Sequence, residues 1–322
     1  MRTVAVDILT GFLGSGKTTL LRHVLDHGLK GKPVAVVMNE IGEVGIDGRV
    51  VTGLSAVEKM VELSSGCICC TIDDYRFDLA IQEIVETTNP HLIIIESTGL
   101  ADPEPVAERV RSAGLGLDAI ITVVDAAHVD RHLAETEVAA RQIAAADFLV
   151  VNKVDLVGER ALGKLERRLG RLNARAERLR SVRGALDSDL LFATGVASWR
   201  ERARNDAGRA AADAGHLHVD GFASFVFRSD RPLDQPAFER LLDKLPRDVV
   251  RAKGIVRFAG RDWQCLFNYT CGRHELSWVK LPEGVGSQAV FIGRDLPRHE
   301  PRLRAALAGC ETADHEGRST NV

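Results

Sequence analysis

A chain of 322 residues, 45% hydrophobic and 27% charged, has the balance of an ordinary globular protein of about two domains, which excludes disordered, collagen-like and fibrous classes. Its 42 Lys+Arg against 45 Asp+Glu give a formal net charge of −3, so no whole-molecule field points to nucleic acid or an anionic membrane as partner. No stretch approaches the roughly 18 uninterrupted apolar residues of a membrane helix, and six cysteines are too sparse for a disulfide scaffold.

The apolar start at residues 4–9 is too short for a secretory signal and lacks its flanking features, so a cytoplasmic protein is expected. That segment reads as a strand running into Gly11-Phe12-Leu13-Gly14-Ser15-Gly16-Lys17-Thr18-Thr19, which continues as a helix to about Gly28. This is a P-loop between a strand and a helix. Glycines allow the backbone N–H groups to converge on phosphate oxygens, and the helix N-terminus adds its dipole. Lys17 is expected on the β- and γ-phosphates and the Thr18 hydroxyl on Mg²⁺, with Gly11, Gly14, Ser15, Gly16 and Thr19 completing the cradle.

A second strand ends at Glu40 and leads into Asn39-Glu40-Ile41-Gly42-Glu43-Val44-Gly45-Ile46-Asp47, where a first switch segment would run. Asp47 is a candidate for the nucleotide Mg²⁺ and Glu40 for a second metal. Residues 54–63 read as helical, and Ser65-Gly66-Cys67-Ile68-Cys69-Cys70-Thr71 follows as a loop before another helix near Asp73 or Asp74. Thiolates at i and i+2 project the same way from an extended backbone, and sulfur suits Zn²⁺, Cu⁺ or Co²⁺. Three sulfurs leave a coordination position open, which fits a transferable metal better than a closed structural site. Buried packing and a redox pair are the alternatives for these thiols.

Residues 92–95 form a third buried strand, ending in Glu96-Ser97-Thr98-Gly99. Glu96 is expected to hold Mg²⁺ or orient the attacking water, and the Gly99 N–H to sense the γ-phosphate. A strand at 119–125 precedes His128, which could close a metal site; His132 ranks below it. After the apolar run 148–151 comes Asn152-Lys153-Val154-Asp155, at the strand end where open α/β sheets bind ligands. A carboxylate at Asp155 accepts from guanine N1–H and the exocyclic amine, and Asn152 can meet the other edge, so GTP is favoured over ATP.

Residues 158–183 carry nine basic side chains against three acids, with leucines at near-helical spacing, and read as one or two amphipathic helices with a solvated basic face. A linker is expected at 201–218. Beyond it, alternation at 222–228, helical text at 236–245, strands near 251–258, 264–269, 275–280 and 289–292, and a last helix at 301–307 make a small α+β domain over 219–310, followed by a polar tail at 311–322. Cys265 and Cys271 would share a strand face if the strand were unbroken, as packing residues or as a second metal site. The fold class expected is α/β: a P-loop parallel sheet flanked by helices over 1–200, then the smaller α+β domain.

With these residues assembled, the chain resembles the CobW family, P-loop GTPases of the SIMIBI class related to nickel-insertion GTPases. The matching text comprises residues 11–21, 39–47, 66–71, 96–99, 123–126 and 152–155, together with Arg251-Ala252-Lys253-Gly254 and Val290-Phe291-Ile292-Gly293. The resemblance implies a GTP-hydrolysing metallochaperone using GTP, Mg²⁺ and Zn²⁺ or Co²⁺, with a client metalloprotein as partner and a homodimer as one possible state. Zinc handling, cobalt for cobalamin and nitrile hydratase activation are the associated roles. Two departures stand out. Only His216-Leu217-His218 occupies the place of a histidine-rich linker, which argues against metal storage, and Leu172-Asn173-Ala174-Arg175-Ala176 lacks the proline usual in the second guanine-side loop. A GTP-gated docking or regulatory protein with structural or redox-active cysteines is the competing expectation.

Overall fold

The computed structural model describes residues 4–27, 29, 33–39, 57–63, 74–186, 188–192, 222–279 and 286–312. The chain divides into two compact units, one spanning Thr3–Gly195 and the other made chiefly of Val196–Val322.

In the first unit the elements run β1 (Ala5–Thr10), α1 (Lys17–His27), β2 (Val34–Asn39), β3 (Val57–Leu63), α2 (Asp74–Thr88), β4 (Leu92–Glu96), α3 (Pro103–Ser112), β5 (Gly116–Asp125), α4 (Val129–Glu135), α5 (Glu137–Ala145), β6 (Phe148–Asn152), a 3-10 turn (Val154–Leu156), α6 (Glu159–Leu172), β7 (Glu177–Arg180) and α7 (Ser188–Leu191). The strands pair in parallel in the order β3-β2-β4-β1-β5-β6-β7. Strands β1, β4 and β6 are near-continuous apolar runs because both faces are covered. One core cluster joins Val6, Ile8, Ile93 and Ile95 to Phe77 and Ile84 of α2 and Val106 and Val110 of α3. Another joins Leu149 and Val151 to Leu162, Leu165 and Leu169 of α6. Strand β1 has β4 on one side and β5 on the other, so the connections leave it in opposite directions. A crevice opens at its carboxyl end.

One expectation changes here, and the one or two helices expected of the basic segment resolve to one. Residues 57–63, read within a helix, form the edge strand β3. Val57, Met60, Val61 and Leu63 have helix-like spacing, but β2 offers an unpaired row of backbone groups, and ladder pairing from Val34↔Val57 to Asn39↔Leu63 outweighs that local preference. The basic segment supplies only one helix, α6. Asn173 ends it: buried, it donates to the carbonyls of Ile143, Ala144 and Ala146 and accepts from the N–H groups of Arg175 and Ala176. The chain then turns into β7.

The second unit contains β8 (Phe222–Ser229), α8 (Gln235–Asp243), β9 (Val249–Arg257), β10 (Gln264–Thr270), β11 (Arg273–Val279), β12 (Ser287–Arg294) and α9 (Leu296–Ala308). Its antiparallel sheet has the order β11-β10-β9-β12-β8. One face packs Phe225, Phe227, Phe267 and Phe291 against Phe238 of α8 and Leu303 and Leu307 of α9, with the Phe225 and Phe291 rings stacked at 4.9 Å. The last helix starts earlier than expected, with Pro301 inside it. Glu311 and Thr312, assigned to the tail, bridge to Leu233 and Pro232. Cys265 lies in β10 and is buried, while Cys271 sits in the following turn at φ 46. Six residues of strand separate them by about 20 Å, so the pair cannot share a metal. Burial pushes the Cys265 thiol up to about 12. No helix among the described residues is long and apolar enough to cross a membrane.

Candidate functional site

Strand β1 delivers the P-loop into the crevice, and two glycines let it fit. Gly11 has φ +136, and a Cβ there would stand 2.3 Å from the Val123 carbonyl; Gly16 has φ +105, and a Cβ would stand 2.4 Å from Nδ2 of Asn152. Any side chain at either position would part the loop from β5 or β6. Lys17 Nζ donates to the Gly11 carbonyl at 2.9 Å. Ser15 is fully buried and Thr19 is exposed.

Thr18 Oγ1 donates to Glu96 Oε1 at 3.0 Å, so the two residues expected at Mg²⁺ meet, 78 positions apart in sequence. Octahedral coordination at about 2.1 Å places adjacent oxygens about 3.0 Å apart, and a hydroxyl beside a buried carboxylate is a hard-oxygen donor set. These residues fit Mg²⁺. Asp47, the third expected ligand, lies outside the described residues, as do Glu40, Cys67, Cys69 and Cys70.

At the end of β4, Ser97 N–H donates to the Leu9 carbonyl at 2.9 Å, holding the following loop beside β1. A Cβ on Gly99 would lie 2.6 Å from Leu13 N, so Gly99 is pressed against the P-loop backbone. The expected γ-phosphate sensor and the phosphate cradle are therefore neighbours.

Asn152, at the end of β6, uses both ends of its amide within the protein. Nδ2 donates to the Ser15 carbonyl at 2.9 Å, and Oδ1 accepts from Gly184 N–H at 3.1 Å. Besides the base-side role expected of it, it joins the P-loop to the loop after β7. Lys153 has the left-handed φ of 62, and Asp155 is exposed on the 3-10 turn. Residues 181–186 form the loop after β7, with Arg183 and Gly184 both at positive φ and Gly184 packed on Leu20 and Thr19; the 172–176 segment, where the second guanine-side loop was expected, instead holds the end of α6 through Asn173.

A hub that was not singled out from sequence is Asp125, whose carboxylate ends β5 and is buried. It accepts from Lys153 Nζ at 2.8 Å, from His128 Nδ1 at 3.0 Å and from Ala127 N–H at 2.9 Å. Burial alone would raise its pKa, but these hydrogen bonds outweigh it and hold the carboxyl below its usual value. Lys153 Nζ also donates to the Gly14 carbonyl at 2.7 Å. His128 is half exposed, and with Nδ1–H on a carboxylate it presents Nε2, the arrangement of a metal-ligating imidazole. His132 is buried with its ring 4.3 Å from that of Phe12, so it packs rather than ligates. Among the described residues no group of three His, Cys, Asp or Glu side chains is placed to hold a metal.

Residues 5–180 match the family model described as "CobW/HypB/UreG, nucleotide-binding domain", and residues 222–311 match "Cobalamin synthesis protein cobW C-terminal domain". The chain is 34% identical over 329 residues to the zinc chaperone YjiA of Escherichia coli (strain K12), across 96% of this chain and 99% of that protein. It is 30% identical to the zinc chaperone CobW of Pseudomonas aeruginosa, across 96% and 93%. It is 38% identical over 195 residues to the zinc-regulated GTPase metalloprotein activator 1 of Schizosaccharomyces pombe, across 57% of this chain and 47% of that protein.

Proposed function

The chain belongs to the CobW/HypB/UreG family of P-loop GTPases, and from that premise we propose that it binds and hydrolyses GTP and passes a zinc ion, with cobalt as the alternative cargo, to a client metalloprotein in the cytoplasm. In this reading the Cys67, Cys69 and Cys70 thiolates hold the cargo, with Glu40 and His128 as co-ligands. Gly11, Gly14, Ser15, Gly16, Lys17, Thr18 and Thr19 cradle the phosphates, and Asp155 reads guanine.

The observation that supports it most is the Asp125 carboxylate shared by His128 and Lys153, with Lys153 also on the Gly14 carbonyl. One buried anion thus joins an imidazole of metal-binding type to the P-loop backbone. A change at His128 alters the charge on Asp125 felt by Lys153, and Lys153 transmits it to Gly14.

In hydrolysis a water oxygen bonds to the γ-phosphorus while the bond to the β–γ bridging oxygen breaks, leaving that electron pair on GDP. Lys17 offsets the charge on the β- and γ-oxygens, and the Gly99 N–H donates to a γ-oxygen. Thr18, Glu96 and Asp47 would hold Mg²⁺, which supplies further charge neutralisation at the bridging phosphates. Orienting the attacking water is the alternative role for Glu96.

Linkage requires that GTP change metal affinity by the factor by which metal changes GTP affinity. The test is anaerobic Zn²⁺ and Co²⁺ affinity by chelator competition, with GDP or a non-hydrolysable GTP analogue bound, for the wild type and Cys69→Ser. Nucleotide-dependent affinity that collapses in the variant is the expected result. Affinity identical in every nucleotide state would place the cargo elsewhere and favour a GTP-gated docking protein.

A further inference from the structure

Helix α5 packs against the segment that follows β4, and it grips that segment at three points. Gln142 is 1% exposed, and its Nε2 donates to the carbonyls of Gly99 at 3.2 Å and Ala101 at 2.9 Å. The adjacent Arg141 Nε lies 3.0 Å from the Asp102 carboxylate, which itself caps α3 by accepting from Glu104 N–H. Only an amide nitrogen, with its two hydrogens, can satisfy two carbonyls this way, so the chemistry fixes which end of Gln142 faces the loop. The helix is in turn fastened to the sheet, because Thr122 Oγ1 of β5 donates to the backbone carbonyl of Gln142 at 2.8 Å.

At the other end of the segment, Ser97 is held on Leu9 of β1. Between Ser97 and the Gly99 carbonyl that Gln142 holds, only Thr98 and the Gly99 N–H remain, and Gly99 rests on Leu13 of the P-loop. The peptide that would present N–H to a γ-phosphate is therefore suspended between β1 and an amide on α5.

We propose that Gln142 is a positioning residue for discrimination between GTP and GDP: by fixing the Gly99 and Ala101 carbonyls it sets the path of the γ-phosphate-sensing loop from outside the nucleotide site. This rests on the reading of Gly99 as the sensor. A GTP complex needs that loop ordered in one place, whereas GDP is held by the P-loop and the guanine side. Loss of the two hydrogen bonds leaves two buried carbonyls without partners and frees the loop, so the ordering cost falls on GTP alone.

The test uses full-length wild type, Gln142→Met and Thr122→Val, with affinities for fluorescent GDP and a non-hydrolysable GTP analogue, and single-turnover GTP hydrolysis. Gln142→Met keeps length and packing but has no donors. It is expected to weaken the analogue about tenfold and GDP less than about twofold, with a matching fall in hydrolysis. Thr122→Val perturbs the same helix without touching the loop bonds, so its ratio of affinities should equal that of wild type. Parallel losses for both nucleotides in Gln142→Met, or no loss, would overturn the proposal. If Gln142→Met does not fold, Gln142→Asn, whose amide is one methylene short of the two carbonyls, is read by the same ratio; a fall in analogue affinity alone supports the anchorage, and an unchanged ratio overturns it. Failure of the underlying reading looks different: Gly99→Ala, whose Cβ would press on Leu13 N, would then leave the ratio of analogue to GDP affinity at the wild-type value.

Discussion

Asn152 and Asp155 stand three positions apart and are assigned different work by their surroundings. Asn152 is buried with both ends of its amide bonded to backbone of two other loops, while Asp155 is exposed and free to face a ligand. Asn152→Ala strands a buried carbonyl and a buried N–H, at about 1–3 kcal/mol each. Urea unfolding should show that loss, and GDP and GTP affinities should fall together. Asp155→Ala should change stability by less than about 0.5 kcal/mol yet abolish the preference for GTP over ATP in competition. The motif was legible because residue type encodes it. The bridging role was not, since its partners Ser15 and Gly184 lie 137 and 32 positions away. Histidines add a pH dependence. Burial holds His132 below its ordinary value, as it does His23. The unfolded chain binds protons at these groups from about pH 6.5 downward while the folded chain resists, so stability falls as pH drops from about 6.5 toward the lowered folded values. His132→Phe, which keeps a ring against Phe12, is expected to flatten part of that slope in unfolding measured between about pH 6.5 and 5.

Strands and helices were readable where burial dictates their composition, and less so at edges. β1, β4, β5 and β6 are nearly uniform apolar runs, and their positions follow from the text alone. β3 and β7 occupy the two edges of the same sheet. There a strand needs only one partner and tolerates charge, as in the Glu-Arg-Leu-Arg of β7, so neither alternation nor an apolar run marks it. Helix α6 shows what its leucines and arginines each contribute. Leu162, Leu165 and Leu169 are buried against β6, so Leu169→Ala should cost about 2–5 kcal/mol in urea unfolding. Arg180 pairs with Glu166 at 2.8 Å and with Glu159 at 3.3 Å, but the side chain is half exposed. Arg180→Ala should therefore cost less than about 1 kcal/mol. The basic face is a solvated surface energetically, whatever it meets.

Two units, each with its own core, account for the two family matches, residues 5–180 in the first and 222–311 in the second. The order of strands in each sheet was beyond reach of the sequence, because periodicity reports which face is buried and not which neighbour supplies the ladder. Doubly wound connections around β1 bring residues 11–18, 96–99, 125–128 and 152–155 to a single rim, and that convergence makes a binding site of scattered motifs. It also has a temporal side. With Asn152 clamping Ser15 to Gly184, the span between the P-loop and the loop after β7 is set before any nucleotide arrives. Encounter then requires little rearrangement, so GDP and GTP should associate at nearly equal rates, and stopped-flow traces should show their affinities diverging in residence time. On this molecule the clock that separates the two nucleotides runs on departure.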